Sequence, residues 1–144
     1  MNSSEDLFKV KNTASSQDAL SCSLSALADR KYYKEALAII DSYESTLTPE
    51  LLLIKANSYY GLGRYADVLS IISIAEYIDW DTYDIYFLKG KALFALKDYE
   101  AANEAFKKSH KMHPTNASHE AVLRCQLKLF REQNPDANVT FIHS

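Results

Sequence analysis

The side chains best suited to metal or nucleophilic chemistry lie in the last third of the chain. His110 and His113 are three residues apart at a predicted helix end, and His119 and Cys125 follow them. A zinc site needs four converging ligands, and this spacing matches no compact zinc motif. Cys125 and His119 are six residues apart on one helix, so their side chains diverge and lack the hydrogen-bond reach of a nucleophile and its base. The pattern predicts solvated histidines near a helix C-terminus, where the helix dipole favours them.

Two further kinds of catalytic or binding chemistry are not indicated. Asp79, Asp81 and Asp84 form an acidic cluster whose spacing is more typical of helix capping than of metal binding. The three glycines, at positions 61, 63 and 90, do not precede a Lys-Ser or Lys-Thr pair, so no phosphate-binding loop is present. We therefore predict that the protein is not an enzyme and has no catalytic residues, no cofactor and no metal.

Composition and charge restrict the partners and the compartment. The 144 residues carry a net charge of −3 with Lys and Arg scattered, so the sequence has no electrostatic footprint for nucleic acid. The longest aliphatic run, Leu51 to Ile54, is far too short to span a membrane. The start of the chain has no apolar signal core, and the two cysteines do not suggest a disulfide framework. We predict a cytoplasmic or nuclear protein that binds neither nucleic acid nor membrane.

The elements that must position any site are helices, and their pattern is clearest from Tyr83 to Pro114. This stretch predicts one helix, a tight turn and a second helix, because its apolar residues recur at helical spacing. Pro114 ends the second helix, since proline cannot continue one. The small residues Gly90 and Ala102 would let the two backbones approach closely. Large rings would fill the gaps around them: Tyr99 and Phe106.

The same pattern recurs along the chain at a period of about 34 residues, a length typical of helical repeat proteins. The offset from Tyr65 to Tyr99 equals the offset from Pro49 to Tyr83, while Tyr33 precedes Tyr65 by slightly less. Helical hairpins at this period resemble the tetratricopeptide repeat family, although no repeat here opens with tryptophan. The resemblance implies an all-α fold of three tandem tetratricopeptide hairpins in a right-handed superhelical stack, closed by a C-terminal capping helix.

Local start and stop signals divide the chain. We predict a flexible N-terminal segment over 1–15, repeats over about 16–48, 49–82 and 83–114, a capping helix over 115–133 and a flexible tail over 134–144. Ser15, Thr48 and Asp81 are placed to cap the first helices of the three repeats. Gly63 can adopt the left-handed conformation that ends a helix.

In a tetratricopeptide stack the first helices of successive repeats line a concave groove, which is the partner surface that the resemblance implies. Exposed apolar strips usually mark protein contacts, and an amphipathic helix or extended peptide is the natural ligand. The alternative is that the groove residues pack against each other, the capping helix or the N-terminal segment. The predicted groove is mostly apolar and aromatic, with one amide and one lysine: Leu53, Ile54, Asn57, Tyr60, Phe87, Leu88, Lys91 and Phe94.

Some members of the family grip the acidic C-termini of heat-shock chaperones with a clamp of lysines, asparagines and an arginine. Such a clamp works because several donors converge on one carboxylate. Here only Asn57 and Lys91 are donors near the groove, so we predict no carboxylate clamp. The residues at the clamp positions are Ser21, Ser25, Ile54, Asp84 and Leu88.

Two groups within the family resemble the chain more specifically. Residues 86–102 and 125–132 are similar to the third repeat and the following helix of suppressor-of-Skp-type co-chaperone adaptors. This likeness implies a scaffold in ubiquitin-ligase assembly whose repeat domain can self-associate as a homodimer. A second interpretation is the dimerisation arm of a tetratricopeptide subunit of the anaphase-promoting complex, a ubiquitin ligase of the cell cycle. An enzyme or small-ligand binder is disfavoured because the catalytic constellation is missing. The identity of the protein or peptide partner stays open.

Overall fold

Seven α-helices make up the part of the protein that the computed structural model describes, residues 14–43 and 48–136. That part contains no β-strand, so the predicted all-α class is confirmed. The helices follow the order of three hairpins and a terminal helix. They are α1 (Ala14–Asp29), α2 (Tyr33–Asp41), α3 (Pro49–Gly61), α4 (Tyr65–Tyr77), α5 (Tyr83–Ala95), α6 (Tyr99–Met112) and α7 (Asn116–Gln133).

The start of the first helix differs from the position that the sequence signal marked. α1 begins at Ala14, so Ser15 lies inside the helix and the prediction that it caps α1 is wrong. The terminal helix α7 begins at Asn116, one residue inside the predicted capping segment, and ends where predicted. The flexible ends were predicted over 1–15 and 134–144, and most of that prediction lies outside the described residues.

Four turns end their helices in the same left-handed conformation. In each turn one residue has a positive φ: Lys31 (67°), Gly63 (74°), Asp79 (58°) and Lys97 (66°). The amide of that residue bonds to the carbonyl three positions earlier, and the next amide bonds to the carbonyl five positions before it. These paired bonds form the Schellman motif and satisfy the last carbonyls of each helix. The sequence signal marked only Gly63, because non-glycine residues seldom adopt this conformation.

The helix starts show one confirmed cap and one correction. Thr48 Oγ1 accepts a hydrogen bond from the amide of Leu51 at 3.3 Å, as predicted for α3. At α5 the capping position is Thr82, so the prediction that Asp81 caps this helix is wrong. Asp81 instead accepts a 2.5 Å hydrogen bond from the hydroxyl of Tyr86. That bond, together with a backbone hydrogen bond, holds the pKa of the Asp81 carboxyl below its usual value.

The helices group into two compact units that divide within α4, between Ile71 and Ile72. In the first unit, one hydrophobic cluster joins α1, α2 and α3. Gly61 lies directly against the ring of Tyr33, so a side chain at position 61 would collide with that ring. Burial of the apolar side chains in this cluster is the main stabilising contribution within the unit. The buried members of the cluster are Leu24, Ala36, Ile40, Leu51 and Ile54.

In the second unit, α6 packs against both α5 and α7. One core cluster of this unit is formed by Ala102 and Phe106 from α6 and Cys125 from α7. A Cβ atom on Gly90 would lie 2.6 Å from the ring of Phe106, so the close approach predicted at Gly90 is confirmed. α7 therefore covers the apolar face of the last hairpin, which would be exposed without a terminal helix.

Candidate protein-interaction surface

The predicted groove residues of α3 differ in how much of each side chain is accessible. Leu53 and Tyr60 are half-buried and Asn57 is exposed. Ile54 is only 8% exposed and belongs to the core cluster with Leu24. Ile54 therefore contributes little surface to a partner, because its contacts are already made within the first unit.

A cleft of about 450 Å³ lies between α1 and α3 in the first unit. One wall is apolar and carries Leu53, together with the accessible edge of Ile54. The wall from α1 consists mainly of small side chains, so the cleft has room for a large side chain of a ligand. Two carboxylates, Asp29 and Glu50, border it, and none of its lining residues is Lys or Arg. The other lining residues are Ser21, Cys22, Ser25 and Ala26.

Aromatic rings gather at the far end of α3. The rings of Tyr60 and Tyr65 have centroids 5.4 Å apart and are tilted by 58°. The guanidinium of Arg64 lies 4.8 Å from the centre of the Tyr59 ring. Burial, and then the proximity of Tyr65, raise the pKa of the Tyr60 phenol. Tyr60 therefore presents a neutral hydroxyl and an apolar ring edge at physiological pH.

The predicted groove residues of α5 are largely engaged inside the second unit. Leu88 is 2% exposed and lies in the core, so it is not an accessible contact residue. The ring of Phe87 packs against Phe106 with centroids 5.3 Å apart. The ring of Phe94 packs edge-on against Tyr99 with centroids 5.0 Å apart. Both phenylalanines also pack against the cluster that contains Cys125 of α7. Part of each ring is therefore engaged in the core of the second unit, and each ring remains half-buried.

Lys91 is the one predicted cationic residue of the groove. Its Nζ atom lies 5.7 Å from the centre of the Phe87 ring. Burial lowers the pKa of its ammonium group, because removal from water disfavours the charged form. Lys91 is therefore held against an aromatic surface and differs from a freely solvated lysine.

The side chains that could do chemistry near the end of the chain, such as His110 and Ser118, make structural contacts instead. His110 Nδ1 lies 2.6 Å from Ser118 Oγ, a contact that the sequence analysis missed. Ser118 is 1% exposed and forms a capping box with Thr115 at the start of α7, so its hydroxyl is neither accessible nor available as a nucleophile. The T-x-x-S pattern after Pro114 is the signal that could have revealed this box.

The thiol of Cys125 is buried, and burial raises its pKa, so it is held as an unreactive thiol. His119 lies on the same helix, and its ring pairs loosely with that of His110 at 6.0 Å. Among the described residues, no three His, Cys, Asp or Glu side chains group in a way that could hold a metal ion. None of the helices in residues 14–43 and 48–136 is long and apolar enough to cross a membrane.

Comparison with known proteins agrees with the hairpin architecture. Residues 83–116 match the model of the tetratricopeptide repeat family. The chain resembles the crystal structure of the Sgt2 TPR domain from Aspergillus fumigatus, with a TM-score of 0.77, 20% identity and coverage of 88% of this chain and 87% of that one. It also resembles the NMR structure of the first TPR domain of human RPAP3, with a TM-score of 0.72, 19% identity and coverage of 80% and 93%.

No curated protein sequence matches the chain significantly. The identity to the two solved domains is low, so these likenesses establish the fold alone. The chain thus carries a tetratricopeptide repeat at 83–116 and has the fold of tetratricopeptide domains.

Proposed function

We propose that this chain, a tetratricopeptide fold, is a non-catalytic adaptor module that binds a peptide segment of another protein. The observation that carries the proposal is the cleft between α1 and α3, where the apolar surface of Leu53 and Ile54 stands beside small side chains. An accessible apolar wall with room for a side chain is typical of a peptide-binding groove. In the first unit, the proposed partner surface also includes Asn57 and Tyr60. In the second unit, Lys91 and the edges of Phe87 and Phe94 are a separate set of accessible candidate contact residues.

The charges around the cleft favour one class of peptide. Asp29 and Glu50 border it, and none of its lining residues is cationic. A ligand with an apolar side chain next to Lys or Arg would complement this arrangement, whereas an acidic C-terminus would be repelled. Two of the five clamp positions carry apolar, largely buried side chains, Ile54 and Leu88, which cannot donate to a carboxylate. The module we propose therefore binds a basic and apolar segment, and a terminal carboxylate is not its ligand.

The biological setting that we propose is ubiquitin-ligase assembly through a co-chaperone-type adaptor. The support is the similarity of residues 86–102 and 125–132 to suppressor-of-Skp-type adaptors. The assembly arm of an anaphase-promoting-complex subunit is the second candidate, because divergent, tyrosine-rich repeats occur there too. Co-purification from cells followed by mass spectrometry distinguishes them, since the first predicts a Skp-type adaptor and a chaperone and the second predicts other repeat subunits.

The cleft is tested by a pull-down that compares the partner proteins recovered with the native full chain, with Leu53→Glu and with Leu96→Glu. Leu53→Glu places a charge on the apolar wall, and we expect it to reduce recovery of the partner about ten-fold, equivalent to about 1.4 kcal/mol of binding free energy. Leu96→Glu is the matched control, because Leu96 is 49% exposed, lies in the turn after α5 and does not line the cleft. Helix content measured by circular dichroism establishes that both variants are folded.

Unchanged recovery with Leu53→Glu would exclude the cleft as the binding site.

The charge preference is tested by fluorescence anisotropy with two labelled peptides that share one leucine and carry either three lysines or three glutamates. We expect only the lysine peptide to bind, and we expect Asp29→Lys with Glu50→Lys to abolish its binding. Preference for the glutamate peptide would contradict the proposed ligand chemistry.

A further inference from the structure

A second cleft, of about 700 Å³, lies in the second unit beside the end of α4 and the helices α5 and α6. Its lining combines apolar side chains, such as Leu93 and Ala105, with charged ones. Four lysines and two glutamates give the lining a formal charge of +2, whereas the whole chain carries −3. We call this locally positive region the lysine cleft. Its charged members are Lys89, Lys107, Lys108, Lys111, Glu76 and Glu104.

Two of the four lysines already have carboxylate partners. Lys89 Nζ lies 2.8 Å from Glu76 Oε1, and both side chains are about one third exposed. Lys107 Nζ lies 4.0 Å from Glu104 Oε1 on the surface of α6. Because these pairs use both glutamates, the excess positive charge of the lysine cleft belongs to the other two lysines.

Those two lysines, Lys108 and Lys111, make no ion pair with any residue in the described ranges 14–43 and 48–136. The Nζ atom of Lys108 lies 4.3 Å from the centre of the Tyr86 ring. Interaction with the Tyr86 hydroxyl raises the pKa of the Lys108 ammonium group, so this group stays charged. Tyr86 is itself buried and donates a hydrogen bond to Asp81, so the ring beside Lys108 is held in place.

Lys111 follows Lys108 by three residues on the exposed surface of α6. Residues at this spacing have Cβ atoms about 5–6 Å apart, so the two long side chains can reach the same anion. Lys107 and Lys111 are four residues apart, and like charges at that spacing destabilise a helix. An anion bound at this surface would therefore relieve a repulsion that is present in the free protein.

We propose that the lysine cleft binds a phosphorylated segment of a partner protein, with the phosphate between Lys108 and Lys111. A phosphate monoester carries about −1.5 to −2 charges at pH 7 and three strong acceptor oxygens, which match two ammonium groups without carboxylate partners. A single carboxylate would neutralise only one of them. Leu93 lines the same cleft and is half-buried, so an apolar side chain next to the phosphorylated residue would complete the contact.

The two glutamates restrict which carrier of phosphate fits. Nucleic acids and anionic membranes present many phosphates in succession and bind to extended cationic surfaces. Here Glu76 and Glu104 interrupt the cationic surface. The lysine cleft therefore matches one phosphate group on a peptide and does not match a row of phosphates.

This inference goes beyond the proposed function and does not rest on it. The lysine cleft lies in the second unit, whereas the cleft lined by Leu53, Asp29 and Glu50 lies in the first. Leu53→Glu should therefore leave the binding of a phosphopeptide unchanged, so the failure of one proposal can be recognised separately from the failure of the other.

Fluorescence anisotropy of the full chain with a labelled peptide that carries one phosphoserine between two leucines tests the proposal. We expect the unphosphorylated peptide to bind about a hundred-fold more weakly, because both charge-assisted contacts are lost. A peptide with glutamate in place of phosphoserine should bind about ten-fold more weakly, since it carries less charge and fewer acceptor oxygens. Binding of the phosphopeptide should weaken as salt is added.

Charge reversal of the two lysines locates the binding site. Lys108→Glu with Lys111→Glu should weaken phosphopeptide binding about a hundred-fold, whereas Lys108→Arg with Lys111→Arg should preserve it because both charges remain. Lys97→Glu with Arg124→Glu is the matched control, since it changes the net charge equally at exposed residues of the second unit that do not line the lysine cleft. Circular dichroism establishes that the variants are folded.

Equal binding of the phosphorylated and unphosphorylated peptides would overturn the proposal. An equal loss in the control variant would also overturn it, because the effect would then belong to net charge and not to the lysine cleft. Competition by inorganic phosphate, a single-stranded RNA and vesicles of anionic lipid separates the other carriers of phosphate. We expect each to compete about ten-fold less well than the phosphopeptide, and a stronger competitor among them would refute the assignment of a phosphopeptide.

Discussion

At the residue scale, the contact between Gly90 and Phe106 decides how closely the last hairpin can pack. Gly90 is buried, and the ring of Phe106 occupies the space that a side chain at position 90 would need. The ring in turn touches Phe87, so it cannot move aside without disturbing the hairpin core. Dense interiors transmit such displacements because they contain few voids.

We predict that Gly90→Ala lowers the free energy of unfolding by about 1–3 kcal/mol, because overpacking outweighs the better helix propensity of alanine. Urea denaturation followed by circular dichroism measures the change. Gly63→Ala is the comparison, since position 63 has open space around it and a φ of 74°, so its cost of about 1 kcal/mol is backbone strain alone. A Gly90→Ala variant as stable as the native chain would show that Phe106 has an alternative position.

At the element scale, the left-handed turns show how each hairpin is made from local sequence. Four helices end in the same paired hydrogen bonds, yet three of the four left-handed residues are not glycine. The backbones of Lys31, Asp79 and Lys97 therefore adopt a conformation that L-residues avoid. The packing of the surrounding hairpins must offset the free-energy cost of that strain.

We predict that Lys31→Gly and Lys97→Gly each raise the free energy of unfolding by about 0.5–1 kcal/mol, because glycine adopts the left-handed conformation without a Cβ clash. Thermal unfolding at neutral pH provides the measurement. Lys107→Gly is the control, since Lys107 is an exposed residue inside α6 where the same substitution should cost about 1 kcal/mol. If all three substitutions destabilise the protein, the lysine side chains at the turns stabilise the fold by more than the left-handed backbone strain costs.

At the scale of the whole molecule, the two cysteines report on different parts of the structure. Cys22 is exposed beside the cleft in the first unit, and Cys125 is fully buried between α7 and α6 in the second. A thiol reacts as its thiolate, so burial protects Cys125 both by blocking access and by raising its pKa. Cys125 lies on the face of α7 that packs against α6, so its labelling requires the packing between these two helices to open.

We predict biphasic labelling by a maleimide in the native protein, with Cys22 reacting at the rate of a free thiol and Cys125 at least a hundred-fold more slowly, as about 2.7 kcal/mol of opening free energy would give. Cys22→Ser should leave only the slow phase, and Cys125→Ser only the fast phase. Mass spectrometry of the labelled chain assigns the two phases. Equal rates at the two sites would contradict the burial of Cys125.

Local chemistry in the sequence was sufficient to predict most of the elements. The cap at Thr48, the left-handed Gly63 and the close approach at Gly90 all depend on residues within one hairpin, so helical spacing and turn chemistry could predict them. The repeat period indicated the tetratricopeptide fold for the same reason, because each repeat is a local unit.

Accessibility, in contrast, was decided only by tertiary packing. Helical spacing places Ile54 and Leu88 on a face of α3 or α5, but it does not say whether a distant helix covers that face, and both side chains are buried. One local prediction also failed, because the Asp81 carboxylate accepts a hydrogen bond from Tyr86, five residues along the chain, and Thr82 occupies the capping position. The sequence by itself determined which residues form hairpins, whereas only the folded chain determined which of their apolar faces remain for another protein, because burial depends on contacts between segments far apart in the chain.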